Sequence, residues 1–227
     1  MKKTMITLAA VFAAMVTMAA VTSQVVGYNT STLVAGFNCM TPMFVGMGTA
    51  ANLTFGTIKV PDGASYDQFQ VFDSTGEVIQ TVYYWADDQS WYDFATDAPM
   101  NDVEIPVGTA YFFSSQNGGS MVVSGQVLTD SVQVSLANGF TPFGNPYPVA
   151  VTFGSLSNTG LVSYDQFQLF DTTGEVIQTV YYWADDQSWY DFATDAPMND
   201  EIIPAGQGFF FSAQNADCSI TFPALVL

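Results

Sequence analysis

The chain has 227 residues, of which 49% are hydrophobic and 15% aromatic, and it carries a formal net charge of −18 with no histidine. Its 21 acidic side chains face three cationic ones, which excludes nucleic-acid binding through phosphate neutralisation and argues against attraction to an anionic lipid surface. The apolar and aromatic content is high enough to fill a core, so the composition also excludes a disordered chain.

The first 20 residues have the pattern of a bacterial signal peptide. Lys2 and Lys3 give a charged start, and the apolar run over residues 5–21 is shorter than a membrane-spanning helix needs. We place the cleavage after Ala20; a retained N-terminal anchor is the alternative. Cleavage leaves Lys59 as the only cationic side chain and predicts a secreted protein, extracellular or at the cell surface, that does not associate with a membrane.

An internal repeat with an offset of 98 residues is the strongest pattern in the chain. Residues 66–102 return as residues 164–200 with two substitutions, Leu169 for Val71 and Thr172 for Ser74. Self-similarity of this length indicates a duplicated structural unit. We therefore predict two homologous domains, over residues 21–127 and 128–227.

Both repeats show the patterns of β-strands in the same order. Each opens with a Gly–Phe segment, residues 31–38 and 132–140, which we predict to be a single strand. Residues 66–73 and 77–85 predict two strands joined by a three-residue hairpin loop, in which Gly76 takes a left-handed conformation. Aromatic residues occur on both faces of the second strand, so we expect it to be covered on both sides. Since no segment after the leader keeps a helical period, the sequence predicts an all-β fold of two tandem β-sandwich or small-barrel domains.

The order of these motifs resembles that of uncharacterised bacterial secreted β-repeat proteins. The resemblance rests on the segments GFN (36–38), YDQFQVFD (66–73) and IPAGQGFFF (203–211), and it covers most of the chain after the leader. It implies an exported or surface-associated protein and supplies no catalytic residues.

Few residues in this chain are suited to catalysis. The absence of histidine excludes Ser–His and Cys–His couples, and no glycine-rich loop leads into a helix that could bind phosphate. Paired carboxylates could still serve a glycosidase. However, the acidic cluster lies on a turn and occurs twice in a small unit, so we predict that the protein is not an enzyme.

The acidic loop of each repeat has two interpretations. Residues 86–102 carry five carboxylates in 17 residues, a composition that suits calcium, although the spacing of an EF-hand loop is missing. The alternative is an acidic loop that is simply solvated, with no cofactor. The candidate calcium ligands are Asp87, Asp88, Asp93, Asp185, Asp186 and Asp191.

The aromatic cluster beside this loop has three interpretations: core packing, a protein–protein interface, or a platform on which sugar rings stack. As interface or ligand aromatics, the sequence proposes Trp85, Trp91, Tyr92, Trp183, Trp189 and Tyr190.

Cys39 and Cys218 are the two cysteines of the chain, one in each repeat. Their equivalents in the other repeat are not cysteine, so neither repeat can form its own disulfide. An exported protein is compatible with disulfides, and three arrangements stay open: a bridge between chains, which we favour, a bridge within one chain, or two free thiols.

The repeat and the signal peptide together predict a secreted structural protein. If the two repeats of one chain meet head-to-tail, the next chain can add through a similar contact, which produces an extracellular filament, sheath or surface layer. The alternative is a tandem carbohydrate-binding or adhesion protein that uses its two aromatic–acidic loops on glycans.

Overall fold

The computed structural model describes residues 25–48 and 50–226, and its secondary structure is almost entirely β, which confirms the all-β prediction. The predicted signal peptide, residues 1–20, lies outside the described residues. No helix in the described ranges is long and apolar enough to cross a membrane. The described residues include two short 3-10 helices, Phe55–Thr57 and Phe153–Ser155. The strands are β1 (Val26–Leu33), β2 (Gly36–Met40), β3 (Leu53–Thr54), β4 (Gln68–Phe72), β5 (Val78–Trp85), β6 (Ser90–Asp93), β7 (Glu104–Ile105), β8 (Tyr111–Ser115), β9 (Gly119–Gln126), β10 (Val132–Leu136), β11 (Gly139–Gly144), β12 (Val151–Thr152), β13 (Ser157–Thr159), β14 (Gln166–Phe170), β15 (Val176–Trp183), β16 (Ser188–Asp191), β17 (Ile202–Ile203), β18 (Gly208–Ala213) and β19 (Cys218–Phe222).

Each repeat contains one five-stranded antiparallel sheet, and the strand order is the same in both. The order is β2-β8-β4-β5-β6 in the first repeat and β11-β18-β14-β15-β16 in the second. A smaller sheet accompanies each of them, β1-β9 in the first repeat and β10-β19-β13 in the second. The remaining strands form the short pairs β3-β7 and β12-β17.

The predicted single opening strand is wrong in both repeats. Residues 31–38 are divided between β1, which pairs with β9, and β2, which pairs with β8 in the five-stranded sheet. Gly36, at the start of β2, has a φ of 101°, a conformation that side chains with a Cβ rarely adopt. Gly139 has a φ of 97° at the same place in repeat two. The chain therefore crosses from one sheet to the other at a glycine.

The predicted hairpin is confirmed. β4 and β5 pair antiparallel, and Gly76 in the connecting turn has a φ of 84°. The Asp73 carboxylate supports this turn, because it accepts hydrogen bonds from the Thr75 N–H at 2.8 Å and the Thr75 hydroxyl at 2.7 Å.

Each repeat buries its own hydrophobic cluster. In the first, Phe69 contacts Trp91 at 5.1 Å and Phe113 at 4.8 Å between ring centroids. Phe167 takes the place of Phe69 in the second cluster. Leu225 packs against both clusters, so the last part of the chain joins them. The division into two domains remains a prediction.

The two repeats meet through reciprocal contacts. The Phe37 N–H, on the outer edge of β2, donates to the Thr172 carbonyl of the repeat-two hairpin at 2.8 Å. The Phe140 N–H donates to the Ser74 carbonyl, also at 2.8 Å. Phe140 is the equivalent of Phe37 in repeat two, and Ser74 is the equivalent of Thr172 in repeat one. Each repeat thus presents the same strand and the same turn to the other, which makes the contact isologous.

A cluster of four phenylalanines fills the middle of this contact. Phe72 and Phe112 come from the first repeat, and Phe170 and Phe210 are their equivalents in the second. The ring centroids of Phe72 and Phe210 lie 4.9 Å apart, and those of Phe112 and Phe170 lie 5.0 Å apart. The outer faces of the two five-stranded sheets therefore pack on each other along part of their width.

Candidate functional site: two aromatic stripes

The rest of each outer sheet face carries a row of aromatic side chains. Along β5, Val82 and Tyr84 belong to the first hydrophobic cluster, so Tyr83 and Trp85 point to the opposite face. Tyr92 on β6 lies directly across from Tyr83. The row in repeat one, which we call the aromatic stripe, comprises Tyr66, Tyr83, Trp85, Tyr92 and Phe94; its counterpart in repeat two comprises Tyr164, Tyr181, Trp183, Tyr190 and Phe192.

Three tyrosine rings of the stripe are stacked. Tyr66 lies on Tyr83 with centroids 5.4 Å apart and an angle of 23° between the rings, and Tyr83 lies on Tyr92 at 5.7 Å and 30°. The stacked rings cover both faces of Tyr83, which is 9% exposed, whereas Tyr66 at the end of the stack is 53% exposed. The prediction that β5 is covered on both faces thus holds for Tyr83 but not for Ile79, which is 63% exposed on the same face.

Tyr66 is held at the end of this stack by its backbone. It precedes β4 with a left-handed φ of 74°, and its N–H donates to the Tyr84 carbonyl at 2.8 Å. A non-glycine residue in this region is uncommon, and the hydrogen bond and ring stacking support it. Tyr164 has the same φ of 74° in repeat two.

The acidic loop provides hydrogen-bond acceptors for the stacked phenols. The Tyr83 hydroxyl donates to Asp97 at 2.9 Å, and the Tyr92 hydroxyl donates to Asp88. Burial and the hydrogen bond to Asp97 raise the pKa of Tyr83, and the same causes raise the pKa of Tyr181 to about 12. The hydrogen bond to Asp88, together with burial, raises the pKa of Tyr92. The phenols therefore stay protonated at neutral pH and fix the carboxylates at the border of the stripe.

In the described residues, neither acidic loop brings its three predicted calcium ligands together. The Asp93 carboxylate caps its own turn, accepting from the Thr96 hydroxyl at 2.8 Å and from the Gln80 amide at 3.1 Å, and these hydrogen bonds lower its pKa. Asp88 accepts from Tyr92 and from the Ser90 N–H, and Asp87 is exposed. Asp185, Asp186 and Asp191 repeat this arrangement. Within residues 25–48 and 50–226 no group of three acidic or cysteine side chains is placed to hold a metal ion, and calcium remains a prediction.

Two of the predicted interface aromatics need correction. Trp91 and Trp189 are 1% and 2% exposed inside the two hydrophobic clusters, so neither offers a ring face to a partner or ligand. Trp85 and Tyr92, with their equivalents Trp183 and Tyr190, do lie on the stripes. The sequence prediction missed Tyr66, since no pattern in the chain shows that it turns back onto β5.

Cys39 and Cys218 are free thiols within the single chain of the structure, so they form no bridge within that chain, and a bridge between chains stays a prediction. Cys39 is half-buried on β2, opposite Phe112, near the contact between the repeats. Cys218 is 3% exposed in the second hydrophobic cluster. A bridge to another chain would require Cys218 to leave its core.

No protein-family model, curated protein or solved structure matches this chain.

Proposed function

We propose that this is a secreted structural protein that self-associates through its aromatic stripes into an extracellular filament, sheath or surface layer. One observation carries the proposal: a single chain displays the same exposed aromatic face twice, on two sheets related by the repeat. Tyr66 and Phe94 are 53% and 57% exposed, and Tyr164 and Phe192 are 52% and 56% exposed. Exposed aromatic patches of this kind are typical of protein interaction sites.

Two identical faces on one subunit favour an open assembly. If each stripe pairs with a like stripe of a neighbour, every subunit has two neighbours, and the row ends only where a stripe stays free. The filament in this proposal grows by stripe-to-stripe contacts.

The predicted head-to-tail contact is less suitable for growth. The contact between the two repeats is isologous, so each repeat already uses its copy of that surface within the chain. The edges of the five-stranded sheets are also occupied. Thr172 accepts a hydrogen bond from Phe37 on the outer edge of β2, Gly206 accepts one from Thr41 just after β2, and residues 98–100 exchange hydrogen bonds with β6. A strand from another chain could add at these edges only by displacing these hydrogen-bonded segments.

Charge controls this assembly. The stripes are bordered by Asp88 and Asp97, and paired stripes bring these carboxylates together. Their repulsion is screened by salt, since the Debye length falls from about 30 Å at 0.01 M to about 10 Å at 0.1 M ionic strength. We therefore expect the protein to be monomeric at low ionic strength and to assemble as salt is added.

The carbohydrate-binding alternative has less support from the geometry. Sugar rings stack on exposed aromatic faces, but Tyr66 and Tyr92 cover both faces of Tyr83. The Tyr83 and Tyr92 hydroxyls are also engaged with carboxylates. The half-exposed ring of Tyr66 is the main surface left for such a ligand.

The proposal is tested by imaging the mature protein by negative-stain electron microscopy, and sizing it by chromatography, across a series of salt concentrations. The double variant F94A/F192A removes one exposed ring from each stripe but no side-chain hydrogen bond. It should lose assembly and keep the wild-type melting temperature, whereas Tyr28→Ala, which removes a 78% exposed ring outside the stripes, should assemble normally. A wild-type protein that stays monomeric at every salt concentration, or an F94A/F192A variant that still forms fibres, would contradict the proposal.

A further inference from the structure

The inner tyrosine of each stack has a property that assembly does not require: its phenol is hydrogen-bonded to a carboxylate and its ring contacts an exposed tyrosine ring. The Tyr83 hydroxyl donates a hydrogen bond to the Asp97 carboxylate at 2.9 Å, and the Tyr181 hydroxyl donates to Asp195 at 3.0 Å. Removing an electron from a phenol makes its O–H strongly acidic. A carboxylate already hydrogen-bonded to that O–H can accept the proton at once, which makes the electron easier to remove.

The stack also places the phenol ring of Tyr83 against a ring that is exposed to solvent. Tyr83 is 9% exposed, but its ring lies against Tyr66, which is 53% exposed, at 5.4 Å between centroids. In repeat two, Tyr181 lies against the 52% exposed Tyr164 at 5.3 Å. Parallel aromatic rings at this separation exchange an electron readily. Oxidation of the inner tyrosine can therefore pass to the outer one.

We propose that each tyrosine stack is an oxidative modification site, at which a one-electron oxidant generates a radical on Tyr66 or Tyr164 that couples to a second such radical as a dityrosine cross-link. The oxidant is of the class of high-valent haem peroxidases or a photo-oxidised ruthenium complex. This inference rests on the stack alone and holds whether or not the chain assembles.

The electrons and protons of the reaction balance as follows. Tyr83 loses one electron to the oxidant and its phenol proton to Asp97. Tyr66 then returns an electron to Tyr83 across the stack and releases its own phenol proton to water, while Asp97 returns the first proton to Tyr83. Two Tyr66 or Tyr164 radicals form one carbon–carbon bond between their rings, and each ring hydrogen displaced by this bond moves to a phenol oxygen. In total, two electrons reach the oxidant and two protons reach the solvent for each cross-link.

Tyr28 provides an internal control. It is 78% exposed, more than Tyr66 or Tyr164, but it belongs to neither stripe and has no carboxylate among its hydrogen-bond partners in the described residues. If exposure alone determines oxidation, Tyr28 should cross-link first. If the stack determines it, Tyr66 and Tyr164 should cross-link first.

The experiment treats the full mature chain, at low ionic strength, with peroxidase and hydrogen peroxide, and in parallel with photo-oxidised ruthenium tris-bipyridine. Dityrosine fluorescence gives the rate, and mass spectrometry of the linked peptides identifies the tyrosines. We expect the links to map to Tyr66 and Tyr164, the double variant Y66F/Y164F to lose them, and Tyr28→Phe to behave as wild type.

A second pair of substitutions tests the role of the carboxylates. Asp97 and Asp195 have φ values of 56° and 55°, which asparagine tolerates well, and an amide oxygen keeps the hydrogen bond but is a far weaker base. The variant D97N/D195N should therefore fold and cross-link at Tyr66 and Tyr164 about tenfold or more slowly, because a positioned proton acceptor typically contributes at least that much to a rate. Three results would each overturn the inference: cross-links that map to Tyr28, oxidation confined to Trp85, or an unchanged cross-linking rate in D97N/D195N. The peptide map of the wild type requires no variant and decides the matter alone if a variant fails to fold.

Discussion

Phe112 and Phe210 are the same residue of the repeat in its two copies, and their ring centroids lie 5.6 Å apart. A residue that contacts its own equivalent lies next to a local two-fold axis. The reciprocal hydrogen bonds from Phe37 to Thr172 and from Phe140 to Ser74 obey the same symmetry. The chain is therefore built internally like a symmetric dimer whose two halves are covalently joined.

This contact should contribute strongly to stability. Phe112 is 6% exposed and packs against the rings of both Phe170 and Phe210, so Phe112→Ala should lower the free energy of unfolding by about 3–5 kcal/mol. Chemical denaturation measures this loss. The control is Phe94→Ala, which removes a 57% exposed ring and should change the free energy of unfolding by about 0.5 kcal/mol or less. Similar losses in the two variants would contradict a packed contact between the repeats.

Trp91 and Trp85 allow a similar comparison within one repeat. Trp91 is 1% exposed in the first hydrophobic cluster, and Trp91→Ala should cost about 3–5 kcal/mol of stability. Trp85 is half-buried at the end of the stripe, so Trp85→Ala should cost less than half as much. Thermal and denaturant melts of both variants check this order. A Trp91→Ala protein that melts like wild type would exclude the core position.

The hairpin turns should make the fold sensitive to acid. The Thr75 side chain and backbone hydrogen bonds lower the pKa of Asp73, and Thr173 does the same for Asp171. Because each pKa is lower in the folded than in the unfolded state, this stabilisation is complete above the unfolded value of about 4 and is lost as the pH falls through the folded value. We therefore expect the free energy of unfolding to decrease below about pH 4.

The double variant D73N/D171N provides the control for the acid effect. It cannot titrate at these turns, so its free energy of unfolding should depend less on pH in the same range. An acid dependence identical to that of wild type would show that these carboxylates do not contribute to the effect.

The cysteines should leave the protein without covalent links under non-reducing conditions. Burial raises the pKa of Cys39 to about 12 and also raises the pKa of Cys218, so little reactive thiolate is present at neutral pH. We expect non-reducing electrophoresis of assembled and unassembled protein to show a single monomer band. A ladder that collapses with reductant would restore the intermolecular bridge that the sequence favoured.

The calcium prediction can be tested by melting the protein with and without a chelator at fixed ionic strength. A ligand that binds the folded state raises its melting temperature by mass action. Because Asp88 and Asp93 already accept hydrogen bonds from Tyr92 and Thr96, we expect the melting temperature to be unchanged by the chelator. A clear decrease in chelator, reversed by added calcium, would establish a calcium site in these loops.

Several features of the fold can be derived from local sequence. The near-identity of residues 66–102 and 164–200 requires two similar structures, and the alternation of β-branched and aromatic residues requires strands. The hairpin loop was predictable as well, because Gly76 meets the left-handed requirement of its turn. These features depend on neighbours in the chain and on backbone sterics.

The tertiary structure alone decided which aromatic residues are available to a partner. Strand alternation shows that Tyr83 and Tyr84 point in opposite directions, but both faces of β5 are apolar, so the pattern could not show which one meets the core. Trp91 is buried and Trp85 belongs to the stripe because the loop from β5 to β6 places them on opposite faces of the sheet. Tyr66 joins Tyr83, and Phe112 meets Phe210, only through contacts between distant parts of the chain. Local sequence determines the strands, whereas the choice of buried face depends on the free energy of packing whole sheets against each other.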